Sequence, residues 1–314
     1  MTMPSITKNL KNGVTSGCFQ YIVSWAAFAC VASLASLSNA SESTNSISAR
    51  IGYIDNVGFA ASAADRISDS VIELSASKTF HNTIGTSHTI SYGADLTLEK
   101  FGDFPYDRAS AGLSFNYQRK LGIGFDKPRI SFNWTGAKHH YQQSSLDSLT
   151  STLGISLSKP LSSQLDSSIS LERHWEIPDN TIPSVVAPAA AIQLPSSTSN
   201  IEFTSLQLSA EYYASERWSI PFSLQYIDGD LTTISTRPLT SLENFSALSR
   251  EPELGARWNR FRFSGDVTVG AIAASRLLND GSTVNFEFEH ADGESDGGIG
   301  YDRHLFSVIW LKSW

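Results

Sequence analysis

The feature that most constrains this chain is a period of two in hydrophobicity, which begins after residue 40 and continues to the C-terminus. From Ile90 to Leu98 every second residue is apolar, and the residues between them, from Ser91 to Glu99, are small or polar. Successive side chains of a β-strand point to opposite faces, so this pattern predicts strands with one apolar and one polar face. It recurs often enough to predict twelve strands, with ten or fourteen as alternatives.

Strand length and the content of the polar face distinguish a soluble sandwich from a membrane barrel. The alternating segments run for about 9 to 14 residues, longer than a typical soluble strand and long enough for a tilted bilayer crossing. Their polar faces carry ionisable groups that a dry sandwich interior would not tolerate unpaired. The predicted fold class is therefore all-β: a single antiparallel, up-and-down transmembrane barrel, with a wet interior.

Alternation assigns thirteen charged residues to the lumen as lining and selectivity residues. They comprise ten acids and three arginines: Glu73, Asp95, Glu99, Asp166, Glu172, Glu176, Glu211, Asp266, Glu287 and Glu289, with Arg50, Arg262 and Arg303. An excess of carboxylates raises the local concentration of cations and repels anions. The lumen is therefore predicted to prefer cations.

The segments between the predicted strands alternate in length. Even-numbered connections such as Pro160 to Gln164 and Ser215 to Arg217 are short, and odd-numbered ones such as Asp55 to Asp69, Gly136 to Ser148 and Ala291 to Asp302 are longer. Bacterial outer-membrane barrels join their strands by short periplasmic turns and longer outer loops. This topology places both termini in the periplasm.

Residues 1–40 are typical of a secretory signal peptide, leaving residues 41–314 as the barrel domain. Lys8 and Lys11 precede an apolar run that ends at Ser38-Asn39-Ala40, after which we predict cleavage. A membrane anchor and a lipoprotein acylated at Cys30 are weaker alternatives. Export predicts a location in the cell outer membrane, in contact with its lipid and lipopolysaccharide.

Composition excludes several function classes for residues 41–314. Both cysteines, Cys18 and Cys30, fall in the predicted signal, so a disulfide framework, a cysteine zinc site and a thiol nucleophile are excluded. The remaining chain has 21 basic and 31 acidic residues and no basic run, which argues against nucleic acid as a partner. We expect no cofactor and no resident metal.

The C-terminal segment from His304 to Trp314 resembles the last strand of Gram-negative outer-membrane barrel proteins. The resemblance lies in the final aromatic residue and in alternate apolar residues before it: Phe306, Val308, Trp310 and Trp314. Lys312 departs from the pattern, since an aromatic or apolar residue usually stands there. The resemblance implies that these four residues form an assembly signal and that the barrel assembly machinery is a partner.

A second resemblance involves the first and last predicted strands. Gly52 to Val57, Ser68 to Ser70 and Tyr301 to Arg303 are similar to segments of β-barrel porins linked to polysaccharide export and of the barrel portion of surface lipoprotein assembly modifiers. The match covers about a tenth of the chain. It implies the same barrel fold and an export-linked alternative function.

Three groups of residues combine side chains that occur in catalytic or metal sites, and we expect none of the three to be catalytic or metal-binding. His139 and His140 with Ser144, Ser145 and Asp147 suggest a hydrolase, but they are expected in an outer loop without the motif of membrane phospholipases. The alternating Glu172, His174 and Glu176 indicate a polar wall more than a metal site. Asp292, Glu294, Asp296 and Gly297 imitate a calcium loop, but Arg303 stands where its closing Glu should be.

The sequence thus predicts a porin-like channel for passive diffusion of small hydrophilic solutes, with cations preferred. The first alternative is a plugged barrel that serves export or assembly of surface polysaccharide or protein, favoured by the apolar Ile309 and Leu311 on the expected lumen face. The second alternative is a barrel-embedded lipid hydrolase. The sequence does not identify the solute, the oligomeric state or the roles of the loops 178–200 and 228–254.

Overall fold

The computed structural model describes residues 42–179, 185–187, 192–194, 198–236, 245–251, 253–255, 257–296 and 298–314. These residues form fifteen strands, of which twelve are long and three are short. The strands are β1 (Glu42–Ile54), β2 (Asp69–Ile84), β3 (His88–Phe101), β4 (Arg108–Lys120), β5 (Arg129–Tyr141), β6 (Ser148–Ser162), β7 (Leu165–Pro178), β8 (Val185–Ala187), β9 (Ile192–Leu194), β10 (Ile201–Tyr213), β11 (Trp218–Ser235), β12 (Ala247–Arg250), β13 (Asn259–Leu277), β14 (Thr283–Ser295) and β15 (Gly300–Ser313).

The twelve long strands close into one antiparallel barrel. Strands β1 to β7 pair in chain order, β7 pairs with β10, β10 with β11, and β11 with β13. Strands β13, β14 and β15 follow, and β15 returns to pair with β1, with Ser46 opposite Ser313. The predicted fold class and the count of twelve are confirmed.

The three short strands lie outside this ring of pairings. Strands β8 and β9 form a hairpin between β7 and β10. Strand β12 pairs with the first residues of β13, Ala247 lying opposite Arg262. Both additions belong to the segments between long strands.

The connections differ in part from the predicted lengths. At the end of the barrel that holds both termini, which we call the turn end, the connections are 85–87, 121–128, 163–164, 214–217 and 278–282. At the opposite end, the loop end, 55–68, 179–200 and 236–258 are long, as expected, but the last of them begins at 236 and not at 228, because β11 continues to Ser235. The predicted long loops at Gly136 to Ser148 and Ala291 to Asp302 are wrong, since β5, β14 and β15 continue through most of them and leave only 142–147 and 296–299.

Apolar side chains cover the outer face of the barrel. Ile51, Leu113 and Phe306 are 64%, 57% and 55% exposed, and 38 large hydrophobic residues are exposed in all among those described. The residues between them point inward, where contacts bridge strands that are not neighbours. Arg50 on β1 lies 3.6 Å from Glu287 on β14, and the Asn133 amide on β5 donates to Glu172 on β7.

The predicted signal peptide and its cleavage after Ala40 lie outside the described residues, and both remain predictions. In the described part of the chain, no helix is long and apolar enough to cross a membrane.

Candidate functional site

The candidate site is the polar lumen, and most of the acids assigned to it by alternation point inward. Strand register and the pattern of exposure place nine of the ten on the inner face: Glu73, Asp95, Glu99, Asp166, Glu172, Glu176, Glu211, Glu287 and Glu289. Arg50 and Arg303 point inward with them.

The assignment of Asp266 and Arg262 to the lumen is wrong, because β13 presents its other face inward. Asp266 lies in register between Asp228 on β11 and Glu294 on β14, and all three point outward at the loop end. Arg262 is buried on the same outer face, where its guanidinium donates to the Asn200 carbonyl and, over 3.0 Å, to the Ser246 hydroxyl.

A row of charged side chains crosses the inner face of five neighbouring strands. Arg50, Glu73, Glu99, Arg108 and Tyr141 lie opposite one another in successive pairs from β1 to β5. The Arg108 guanidinium donates to Glu99 over 3.2 Å. Arg108 was absent from the predicted set, although its even position on β4 shares a face with Gly112, Ser114 and Asn116.

Three other lumen carboxylates differ in their surroundings, since one is paired with an arginine and two lie together beside a tyrosine. The Arg303 guanidinium donates to Glu289 over 2.9 Å, which neutralises that carboxylate. Towards the turn end, the Tyr213 hydroxyl lies 3.2 Å from both the Asp166 and the Glu211 carboxylates. Uncompensated negative charge therefore concentrates where Asp166 and Glu211 meet.

Between the charged residues, the inner face of β4 to β10 is rich in hydroxyl and amide groups. Hydroxyl pairs cross from strand to strand, such as Ser168 with Ser209 at 2.6 Å. His139 lies between Ser110 and Thr150, at 2.7 and 2.9 Å. Such groups exchange hydrogen bonds readily with water and hydrophilic solutes.

Near the loop end, the inner face of β13 to β15 has an apolar part, and the loop 55–68 packs on it. Val267, Ala291 and Tyr301 are buried there against Phe59 and other apolar side chains. The rings of Phe59 and Tyr301 meet edge to face, with centroids 4.5 Å apart. This contact explains why β13 turns Val267 and its neighbours inward.

Polar contacts hold the loop 55–68 across the loop end of the lumen. The Ile234 backbone N–H donates to the Gly58 carbonyl over 3.1 Å, and the Thr233 hydroxyl donates to the Phe59 carbonyl over 2.7 Å. A Cβ at Gly58 would overlap the side chain of Ile234, so only glycine permits this approach. Phe59 itself has a positive φ of 53°, a conformation that a bulky residue adopts only when its surroundings enforce it.

Beneath this loop lies a cavity of about 500 Å³, which we call the loop-end cavity. One side is lined by Phe59, Ile227, Val267, Val269 and Ala291, and the other by polar and aromatic residues that include Glu99, Tyr106, Arg108, Tyr141, Glu176, Phe203 and Arg260. Burial in the 102–107 connection raises the pKa of Tyr106. A second cavity of about 340 Å³ lies towards the turn end, beside Asp166 and Glu211.

Glu172, His174 and Glu176 share the inner face of β7, but each has its own partner. Glu172 accepts from Asn133 at 3.5 Å, His174 Nδ1 lies 2.9 Å from the Thr152 hydroxyl, and Glu176 accepts from the Ser148 hydroxyl at 2.7 Å. Within the described residues, no three His, Cys, Asp or Glu side chains form a metal-binding group. This arrangement is that of a polar wall.

The residues considered for a hydrolase lie apart from one another. The expectation that His139 and His140 belong to a loop is wrong, since both lie on β5. His139 points inward, whereas His140 is exposed on the outer face, 3.4 Å from Asp147. Ser144 begins a short 3-10 turn after the strand. The structure brings His139 to Ser110 and Thr150 rather than to Ser144.

The remaining candidates divide between the outer face and the undescribed segments. Asp292 and Glu294 lie on β14 and point outward, and Gly297 of the calcium-loop candidate lies outside the described residues. Parts of both long loops, 178–200 and 228–254, also lie outside the described residues. The four residues of the predicted assembly signal, Phe306, Val308, Trp310 and Trp314, share the outward face at the C-terminus.

No protein family and no curated protein matches the sequence. Solved structures do match. An outer membrane channel from Pseudomonas putida F1 is 8% identical, with a TM-score of 0.53 over 88% of this chain and 97% of that one. The NanC porin is 9% identical, with a TM-score of 0.45 over 84% of this chain and 98% of that one. The outer membrane channel DcaP of Acinetobacter baumannii is 7% identical, with a TM-score of 0.42 over 87% of this chain and 97% of that one.

These likenesses concern the fold. Of the three, the P. putida channel has a TM-score above 0.5, and its alignment spans nearly the whole of both chains. The chain therefore has the fold of outer-membrane β-barrel channels, as the C-terminal resemblance implies.

Proposed function

We propose that this protein is a porin-like channel of the cell outer membrane that allows passive diffusion of small hydrophilic solutes and prefers cations. The proposal rests on the difference between the two faces of the barrel. The outer face exposes apolar side chains, and the inner face carries hydrogen-bonded polar and charged side chains. A closed barrel satisfies every backbone group in lipid, and a polar interior admits water.

The preference for cations follows from the charges inside the barrel. The nine inward carboxylates lie among six basic side chains: Arg50, Arg108, Lys120, Arg129 and Arg303 on the inner face, and Arg260, which reaches the loop-end cavity from the loop end of β13. Net negative charge on a narrow lumen raises the concentration of cations within it.

Planar-bilayer recording of the purified protein in asymmetric potassium chloride tests this function. We expect discrete conductance steps and a reversal potential of the sign given by potassium permeation. A reversal potential of the opposite sign would contradict the cation preference, and a silent barrel that is inserted and folded would contradict the channel.

A plugged barrel for export or assembly of surface polysaccharide or protein is the second candidate. It is favoured by the loop 55–68, which packs on an apolar part of the inner wall and narrows the lumen. Zero conductance together with envelope proteins that co-purify stoichiometrically would favour it over diffusion.

A further inference from the structure

We propose that the loop-end cavity binds an organic cation with one positive charge and an apolar body, of the kind represented by an aryl quaternary ammonium ion. The inference rests on the proposed channel and names a class of solute for it. It follows from three properties of the cavity wall: a carboxylate without an ion-pair partner, aromatic rings and an apolar side.

Three guanidinium groups line the cavity, those of Arg108, Arg260 and Arg303, and each of them is paired with a carboxylate. Arg108 pairs with Glu99 at 3.2 Å, and Arg260 pairs with the fully buried Glu251 at 2.9 Å. Glu176 instead accepts from the neutral hydroxyl of Ser148. In the described part of the chain no cation forms an ion pair with it, and the two guanidinium groups that act on it at longer range, Arg260 and Arg108, are each paired with another carboxylate. One negative charge therefore remains for a ligand.

Aromatic rings line the same cavity as Glu176 and already stabilise cations there. The Arg260 guanidinium lies 4.5 Å from the centroid of Tyr106, and that of Arg303 lies 5.4 Å from Phe59. Phe203 lies one diagonal position from Glu176 on the inner face, because His174 is its direct partner on β7. One face of the Phe203 ring stacks on the His174 ring, with centroids 4.5 Å apart, so a cation placed beside Glu176 would meet the other face of Phe203 as well as the carboxylate.

The opposite side of the cavity supplies a surface for an apolar body. Ile227, Val267, Val269 and Ala291 line it, and Phe59 of the loop 55–68 lies above them. A volume of about 500 Å³ accommodates a small organic ion. An inorganic cation would gain nothing from this side, whereas an aryl ammonium ion would bury its ring there.

Isothermal titration of the detergent-solubilised barrel with phenyltrimethylammonium tests the inference directly. We expect saturable binding that weakens about tenfold in Glu176→Gln, because the charge is removed from a partly desolvated site, and severalfold in Phe203→Leu. Asp266→Asn removes the same charge from the outer face and should leave binding unchanged. Circular dichroism confirms that each variant folds.

Three results would overturn the inference: no saturable binding to the wild-type protein, unchanged binding in Glu176→Gln, or equally tight binding of phenylacetate, whose charge is reversed. Potassium conductance is measured on the same preparations. Conductance without ammonium binding contradicts this inference alone, and binding without conductance contradicts the channel alone.

Discussion

Asp65 links the loop 55–68 to the loop end of β11 by hydrogen bonds. Its side chain is almost fully buried and accepts hydrogen bonds from the Ser235 hydroxyl at 2.8 Å and from the Thr236 backbone N–H and hydroxyl at 3.2 and 2.5 Å. A buried carboxylate is tolerated only when such donors surround it. Removing it leaves those donors without their acceptor, at a cost of about 1–3 kcal/mol.

Asp65→Ala should release the loop 55–68 from the lumen. We expect trypsin to cut after Arg66 several times faster than in the wild type, and the mean conductance to rise because the constriction is lost. Mass spectrometry of the fragments identifies the cut. Asp126→Ala, in the exposed 121–128 turn beside Lys127, is the matched control. Equal rates of cleavage after Arg66 in both variants would contradict this role of Asp65.

At the scale of elements, the charged row on β1 to β5 joins neighbouring strands through side chains as well as backbone. Its members alternate in sign only in part, since Glu73 and Glu99 lie side by side between Arg50 and Arg108. Like charges directly opposite one another repel. The two arginines at the ends of the pair offset that repulsion and set the net charge of the row.

Removing the charge of Arg108 and removing the charge of Glu99 should change ion selectivity in opposite directions. Arg108→Gln adds one uncompensated negative charge, so the permeability ratio of potassium over chloride should rise about twofold, and Glu99→Gln should lower it about as much. Reversal potentials in a potassium chloride gradient measure both.

Lys312→Gln is the control for this pair, because it makes the same change of charge on the outer face, beside Asp280. A shift as large in this variant as in Arg108→Gln would show that surface charge, and not the lumen, sets selectivity.

At the scale of the whole molecule, closure of the barrel depends on the pairing of its first and last strands. Trp314 and Asn45 exchange two backbone hydrogen bonds, of 3.0 and 2.9 Å, while the Trp314 side chain is 64% exposed. The backbone of Trp314 thus closes the barrel, and its ring is exposed. Closure removes the sheet edges that would otherwise be exposed to lipid.

Trp314→Ala should therefore reduce assembly in cells without reducing the stability of the folded barrel. We expect severalfold less folded protein in outer-membrane fractions, with unchanged refolding into detergent micelles. Trp218→Ala removes another exposed tryptophan from the outer face near the same end and should assemble normally. Equal assembly of both variants would contradict the prediction that the C-terminal segment is a recognition signal.

The sequence by itself determined the all-β fold and the direction of most lumen acids, because the period of two is a local property of extended backbone, whereas the structure decided for twelve strands over ten or fourteen. Only the tertiary structure decided the orientation of β13. Its apolar Val267 and Val269 suggested a lipid-facing side, but Phe59, about two hundred residues earlier, covers that side from within and leaves Asp266 outside. A contact between segments so far apart in sequence leaves no trace in local alternation, so the loop 55–68, the loop-end cavity and the position of Arg260 within it appear only in the folded barrel.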